Sequence, residues 1–315
     1  MKSILTIYRK ELADYFSSKK FLILLALVYL TGLTSIYVSI QNIRLAAQSS
    51  TDAFVFLKLF TTAGDVLPSF LYFLSFFIPI IGIVFGFDAI NSERNSKNLS
   101  RLLSQPIYRD SIINGKFLAG ITTMSIIIGS IVMIIAGIGL RIIGVPPTSE
   151  EILRLLIFIF ICVCYGTFWM ALSMLFSVIM DKTATSILTS VAIWIFFFFF
   201  IQIIASAIAN AVAPVNEGAT LATQIKNFNL DLGIKRISPA YLFTESITIL
   251  LVPSGSQLFL RAVTTSDISK MILSPLSLGQ SLVQVWPQII AVIALAIICF
   301  AISYIVFIKQ EIRST

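Results

Sequence analysis

Residues 183–212 read TATSILTSVAIWIFFFFFIQIIASAIANAV, from Thr183 to Val212, without a single Asp, Glu, Lys or Arg. A helix rises about 1.5 Å per residue, so about 20 apolar residues cross the roughly 30 Å hydrocarbon layer of a bilayer. This run is long enough to do so. Hydrocarbon offers no water to an open backbone, and a single apolar segment satisfies its own peptide groups there only as an α-helix.

Five more runs repeat the pattern: Phe21 to Ile40, Pro68 to Phe87, Phe117 to Leu140, Leu155 to Met180 and Pro287 to Ile308, all free of charge. The chain has 315 residues, 57% of them hydrophobic and 12% charged, against about 25% charged in ordinary soluble domains. A soluble globular domain is excluded, and an all-α membrane protein with six transmembrane helices is predicted. The first run follows a basic segment, as a secretory signal does. It is longer than the roughly 7 to 15 residue apolar region of a signal and no small-residue cleavage pattern follows, so it is expected to be retained. If the shorter apolar run Tyr241 to Val252, interrupted by Glu245, also crossed, the count would become seven. It is too short, and reads as an interfacial or re-entrant piece.

Histidine is absent, which excludes a Ser-His triad, His-ligated haem and the commonest zinc sites. Cys162, Cys164 and Cys299 all fall in apolar runs, where a thiol behaves as a small hydrophobe. Two residues apart on a helix, Cys162 and Cys164 point to nearly opposite sides and make no joint metal site. An ionisable group at the bilayer centre costs at least about 2.5 kcal/mol on insertion scales and usually marks a proton relay, an ion path or a voltage sensor. The six runs contain none.

Even-numbered crossing puts both ends of the chain on one side, and basic residues near span ends favour the cytoplasm. Lys2, Arg9, Lys10, Lys19, Lys20, Arg94, Lys97, Arg101, Arg109, Lys116, Lys182, Lys309 and Arg313 fall on the side of the termini. Only Arg44, Lys58, Arg141 and Arg154 occupy the two short loops opposite. Both termini are therefore expected in the cytoplasm, at the plasma membrane. The net charge of +7 is explained by this orientation and by membrane lipid headgroups; no basic groove with interleaved aromatics suggests nucleic acid.

Ahead of the first span, Ile4, Leu5, Ile7, Tyr8, Leu12, Tyr15 and Phe16 share one side of a helical wheel, with Thr6, Arg9, Lys10 and Asp14 opposite and Glu11 as the one misfit. A basic amphipathic helix of this kind lies in the interface plane, either as an anchor or as a surface that meets a partner. The segment from Asp88 to Lys116 is polar, and a helix in it would stop before Pro106. Leu99, Leu102 and Leu103 form an apolar stripe there that needs a cover, from lipid or from a partner. Residues 213–286 form the expected extracytoplasmic segment. Phe196 to Phe200 with Gln202 are conspicuous: Phe196, Phe200 and Gln202 are candidates for a substrate path, while phenylalanines facing lipid or neighbouring helices are the ordinary alternative.

Without intramembrane charge, ion-coupled transport would rest on backbone and hydroxyl ligands, so ATP is the other source of work. The chain lacks a phosphate-binding loop: Gly115-Lys116 is followed by Phe117 and has no earlier glycine at the required spacing. Any ATPase would be a separate subunit.

Three pieces of the loop, Asp88-Ala-Ile-Asn-Ser-Glu93-Arg94, Leu99-Ser-Arg-Leu102-Leu103-Ser-Gln-Pro106-Ile-Tyr-Arg109 and Ile112-Ile-Asn-Gly115-Lys116-Phe117, resemble the first cytoplasmic loop of type 2 ABC-exporter permeases. Those share an acidic-basic pair, Leu-Leu-Ser-x-Pro, a basic residue three past the proline, and Gly-Lys. Lys97-Asn98 stands where the family has a Gly-Thr step. The N-terminal Arg9-Lys10-Glu11 with Tyr15-Phe16, and the six-span layout with a large segment before the last span, are similar too.

The resemblance implies an elbow helix within residues 1–20, spans one to five within 21–212 with a coupling loop at 88–116, an external segment at 213–286, and the last span and tail at 287–315. It implies a coupling helix that docks on a nucleotide-binding subunit. Two ABC ATPase subunits carrying ATP and Mg would serve a pair of permeases, the second being the same or a homologous chain. Glu93, Arg94, Leu99, Leu102, Leu103, Pro106 and Arg109 become the ATPase-coupling residues, with Glu93 and Arg94 fixing the loop and Arg109 and Lys116 anchoring its exit at the headgroups. The rival expectations are an ion-coupled secondary transporter and a membrane assembly scaffold.

Overall fold

The computed structural model describes residues 2–46, 54, 56–61, 69–96, 108–144, 146–216, 219–252 and 276–310. Among them the regular elements are all helical. They are α1 (Lys2–Ser17), α2 (Lys19–Ala46), α3 (Lys58–Thr61), α4 (Phe70–Gly86), α5 (Asn91–Asn95), α6 (Arg109–Ile143), α7 (Ser149–Ile179), α8 (Thr183–Ile195), α9 (Ile201–Val212), α10 (Leu221–Lys235), α11 (Pro239–Leu251) and α12 (Leu278–Lys309). Among the described residues six helices are long and apolar enough to cross a membrane: α2, α4 running on through α5, α6, α7, α8 with α9, and α12.

Helix ends follow local chemistry. Thr148 and Glu151 form a capping box at the start of α7, Ser277 and Gln280 another at the start of α12, and Gly144 closes α6 in the left-handed region at φ 73°. Several helices start well before their apolar runs: α6 at Arg109 instead of Phe117, α7 at Ser149 instead of Leu155, α12 at Leu278 instead of Pro287. Counting apolar residues finds the part in hydrocarbon, whereas hydrogen bonding carries the helix on through a polar turn or two. Pro287 thus lies inside α12, a position membrane helices tolerate.

The fourth span, α7, is the hub, with Phe158, Tyr165, Trp169 and Met170 fully buried between α4 and α12. Two glycines on α4 allow the close approach. A Cβ on Gly82 would stand 2.5 Å from the Gly166 carbonyl oxygen, and one on Gly86 would stand 2.5 Å from that of Met170. This is the small-residue spacing by which membrane helices bring their backbones together. Ile7 of α1, Ile112 and Ile113 of α6, Val178 of α7 and Phe307 of α12 share one apolar cluster, so both ends of the chain lie at the same end of the bundle.

The short run after the fifth span is α11, 13 residues long, about 20 Å at the helical rise. It enters the bundle instead of lying across its surface. The Ser238 hydroxyl at its start donates to the Phe197 carbonyl inside the fifth span at 2.7 Å, Phe243 stacks on Tyr165 at 4.2 Å between ring centres, and its last turn reaches Arg154 near the start of α7. A piece too short to cross is stable there because neighbouring spans cover its sides.

Candidate functional site

Glu11 interrupts the apolar face of α1 because its partner lies beneath it. The Lys116 ammonium on α6 stands 2.9 Å from Glu11 and 2.8 Å from Glu93 of α5, and the three side chains are only 7%, 8% and 13% exposed. Gly115 makes room for this: a Cβ there would come within 2.7 Å of the Ile7 side chain on α1. Lys10 adds a second cation to Glu11 at 3.0 Å. Burial by itself would push the Glu11 carboxyl upward, but the charges and hydrogen bonds of Lys116 and then Lys10 outweigh it and hold it below its ordinary value. Beside the triad a polar cavity of about 200 Å³ is lined by Tyr15, Lys20, Asp88 and Ser92, and Lys20 pairs with Asp88 across it.

Arg94 turns the other way, onto the end of α7. It donates to the Val178 carbonyl at 2.9 Å, to Asp181 at 2.8 Å and to the Gln310 side chain at 3.1 Å. Arg109 opens α6 and donates to the Gln310 carbonyl at 2.6 Å and weakly to that of Ile308 at 3.4 Å. The last carbonyls of a helix have no partner within it and carry partial negative charge, so a guanidinium is well matched to both places. Segment 97–107 is thus flanked by Glu93 and Arg94 on one side and Arg109 and Lys116 on the other. All four are tied to other helices. Arg109 and Lys116 meet protein partners where headgroups were expected, because carboxylates and helix-end carbonyls lie within reach.

Leu99, Leu102, Leu103 and Pro106 lie outside the described residues. Phe196 and Phe200 stand on the outer surface of the fifth span, 43% and 51% exposed, and Gln202 nearby is half-buried. Among the described residues, the structure does not bring them to Glu93, Arg94 or Arg109. Phe196–Phe200 form a π-helical turn, a feature often found where a helix serves a function. An apolar cavity of about 440 Å³ opens elsewhere, between Phe117 and Ile121 of α6, Val163 and Cys164 of α7, and Ile297 and Phe300 of α12. Asp181 and Gln310 were missed as loop partners: a lone carboxylate in a turn and a lone amide after the last span have no pattern to read. Glu11 did have a signal, as the misfit on its wheel.

Compared with known protein families, residues 5–312 match the family described as ABC-2 family transporter protein. No curated protein matches the chain.

Proposed function

The chain belongs to the ABC-2 family of transporter proteins as a non-catalytic permease subunit, and on that premise we propose that it forms the substrate path of an ATP-driven exporter. Family membership implies association with an ATPase subunit, which binds ATP and Mg, and with membrane lipid. In the proposed arrangement the protein sits in the plasma membrane with both termini cytoplasmic. Segment 97–107 meets the ATPase, and two permeases pair with two ATPases.

One observation carries the coupling role. The flanks of segment 97–107 fasten to three different parts of the bundle: Lys116, which also holds Glu93, to Glu11 on α1, Arg94 to the end of α7 and Arg109 to the end of α12; along the chain they continue into α4 through α5 and into α6. A push on the segment therefore reaches elbow, second, third, fourth and last spans together. An exposed loop without such ties would absorb the push. The leucine stripe supplies the contact, since burying one leucine is worth roughly 1.5 to 3 kcal/mol before the costs of association.

The test is the double variant Leu102→Asp with Leu103→Asp. It removes that burial and places two carboxylates against an apolar groove, which weakens docking by orders of magnitude. The permease is expected to insert normally, to lose its ATPase on purification and to export nothing. Continued export, or transport by the wild-type chain in liposomes from an ion gradient without ATP, would end this reading in favour of a secondary carrier.

A further inference from the structure

We propose that Gln310 is a positioning residue for coupling: it joins the two flanks of segment 97–107 to each other and to the last span, so that a displacement of the segment moves α12 together with α4 and α6. The inference rests on the reading of that segment as the ATPase contact.

Gln310 uses both ends of its amide and its own main chain. Its Oε1 accepts from Arg94 at 3.1 Å, its Nε2 donates to the Val178 carbonyl at 3.1 Å, and its backbone carbonyl accepts from Arg109 at 2.6 Å. Arg94 also reaches Val178 at 2.9 Å. Arg94, Gln310 and Val178 thus close a ring of three hydrogen bonds, and the ring can close only around a group that donates and accepts at once, as a carboxamide does.

Take the amide away, and each flank is left on its own helix. Arg94 would hold to α7 and Arg109 to α12, with nothing in the ring between them. The remaining charged contact of Arg94 is to Asp181, whose side chain is 86% exposed. An ion pair so open to water holds weakly. The seat of Arg94 therefore depends on Val178 and Gln310. Asp181 trims it and does not replace them.

The permease is isolated together with its ATPase from its own membrane, through an affinity tag on the permease, and placed in lipid nanodiscs with ATP and Mg as the only probe. In Gln310→Ala the ATPase is expected to stay bound at wild-type stoichiometry, with the permease melting temperature and the KM for ATP unchanged. The kcat falls about tenfold, because the segment and α12 no longer move as one in the step that carries the coupling. Gln310→Glu keeps the acceptor for Arg94 but loses the donor to the Val178 carbonyl, so the ring stays open and kcat recovers only in part, remaining at least about threefold below the wild type. Arg94→Ala gives a similar loss, and adding Gln310→Ala to it costs nothing more, because the two act as a unit.

An unchanged kcat in an intact Gln310→Ala complex overturns the proposal. So do additive losses in the double variant, and so does a melting temperature that falls in step with kcat, which marks a merely structural contact. If instead the Leu102→Asp, Leu103→Asp variant keeps its ATPase, the parent reading fails and takes this one with it.

Discussion

Lys116 sets one cation between two carboxylates where little water reaches. Buried ion pairs gain little over a well-packed apolar replacement, but breaking one leaves an uncompensated charge and costs about 3 to 5 kcal/mol. Lys116→Met should therefore lower the melting temperature of the purified permease markedly; an unaltered melting curve would mean that the triad does not form. The acid side of the triad has its own signature. A carboxyl held low in the folded chain adds stability above its unfolded value and loses it as the pH falls through the folded one. Since Glu11 sits below its ordinary 4.5, the wild-type chain should lose stability on acidification below that value. Glu11→Gln should start less stable at neutral pH and respond less in the same window. Equal pH slopes for the two proteins would refute the assignment. At this scale the sequence showed the anomaly and hid its cause. Glu11 stood out against a regular wheel, whereas the partner more than a hundred residues away leaves no mark on local periodicity.

Among the elements, α11 is held at its far end by Arg154, which the charge count treats as an ordinary outer-loop cation. It is fully buried. Its guanidinium donates to the Leu250 carbonyl at 2.6 Å, the Leu276 carbonyl at 2.7 Å, the Ser281 hydroxyl at 3.2 Å and Glu150 at 2.8 Å. One side chain thus caps the end of α11 and binds the approach to α12, while its neighbour Glu151 accepts from the Phe56 backbone at 3.1 Å. Such a spread of acceptors needs a planar fork; an ammonium is a point. Arg154→Lys should keep the charge yet cost about 2 to 4 kcal/mol in thermal unfolding, close to the cost of Arg154→Met. Full recovery by lysine would show that charge alone matters there. The position of Arg154 beside a span end was legible, and so was the shortness of α11. Burial of both was not, because hydropathy says how long an apolar run is and nothing about which neighbours close over it.

The whole molecule has its two ends together, and the basic residues gathered there predict which side they face. Single cysteines at Ser96 and Ala222, in a chain with Cys162, Cys164 and Cys299 replaced, should react with an impermeant thiol reagent in intact cells only at Ala222. Labelling at Ser96 alone would invert the molecule. Six crossings, their order and their apolar centres could be read directly, since the hydrocarbon layer imposes one length and one composition on each. The helix ends and the ties among them came from hydrogen bonds that composition does not encode. The same charge-free centres have an electrical consequence. A membrane voltage does about 2.3 kcal/mol of work on each elementary charge carried across 100 mV. The stretches from Phe21 to Ile40 and from Thr183 to Val212, like the other four, carry none, so the field acts on no side-chain charge within them. In the proposed export cycle the resting potential therefore does no work on the side chains of these stretches, and a voltage dependence would trace to charges at their ends or to the charge of the cargo.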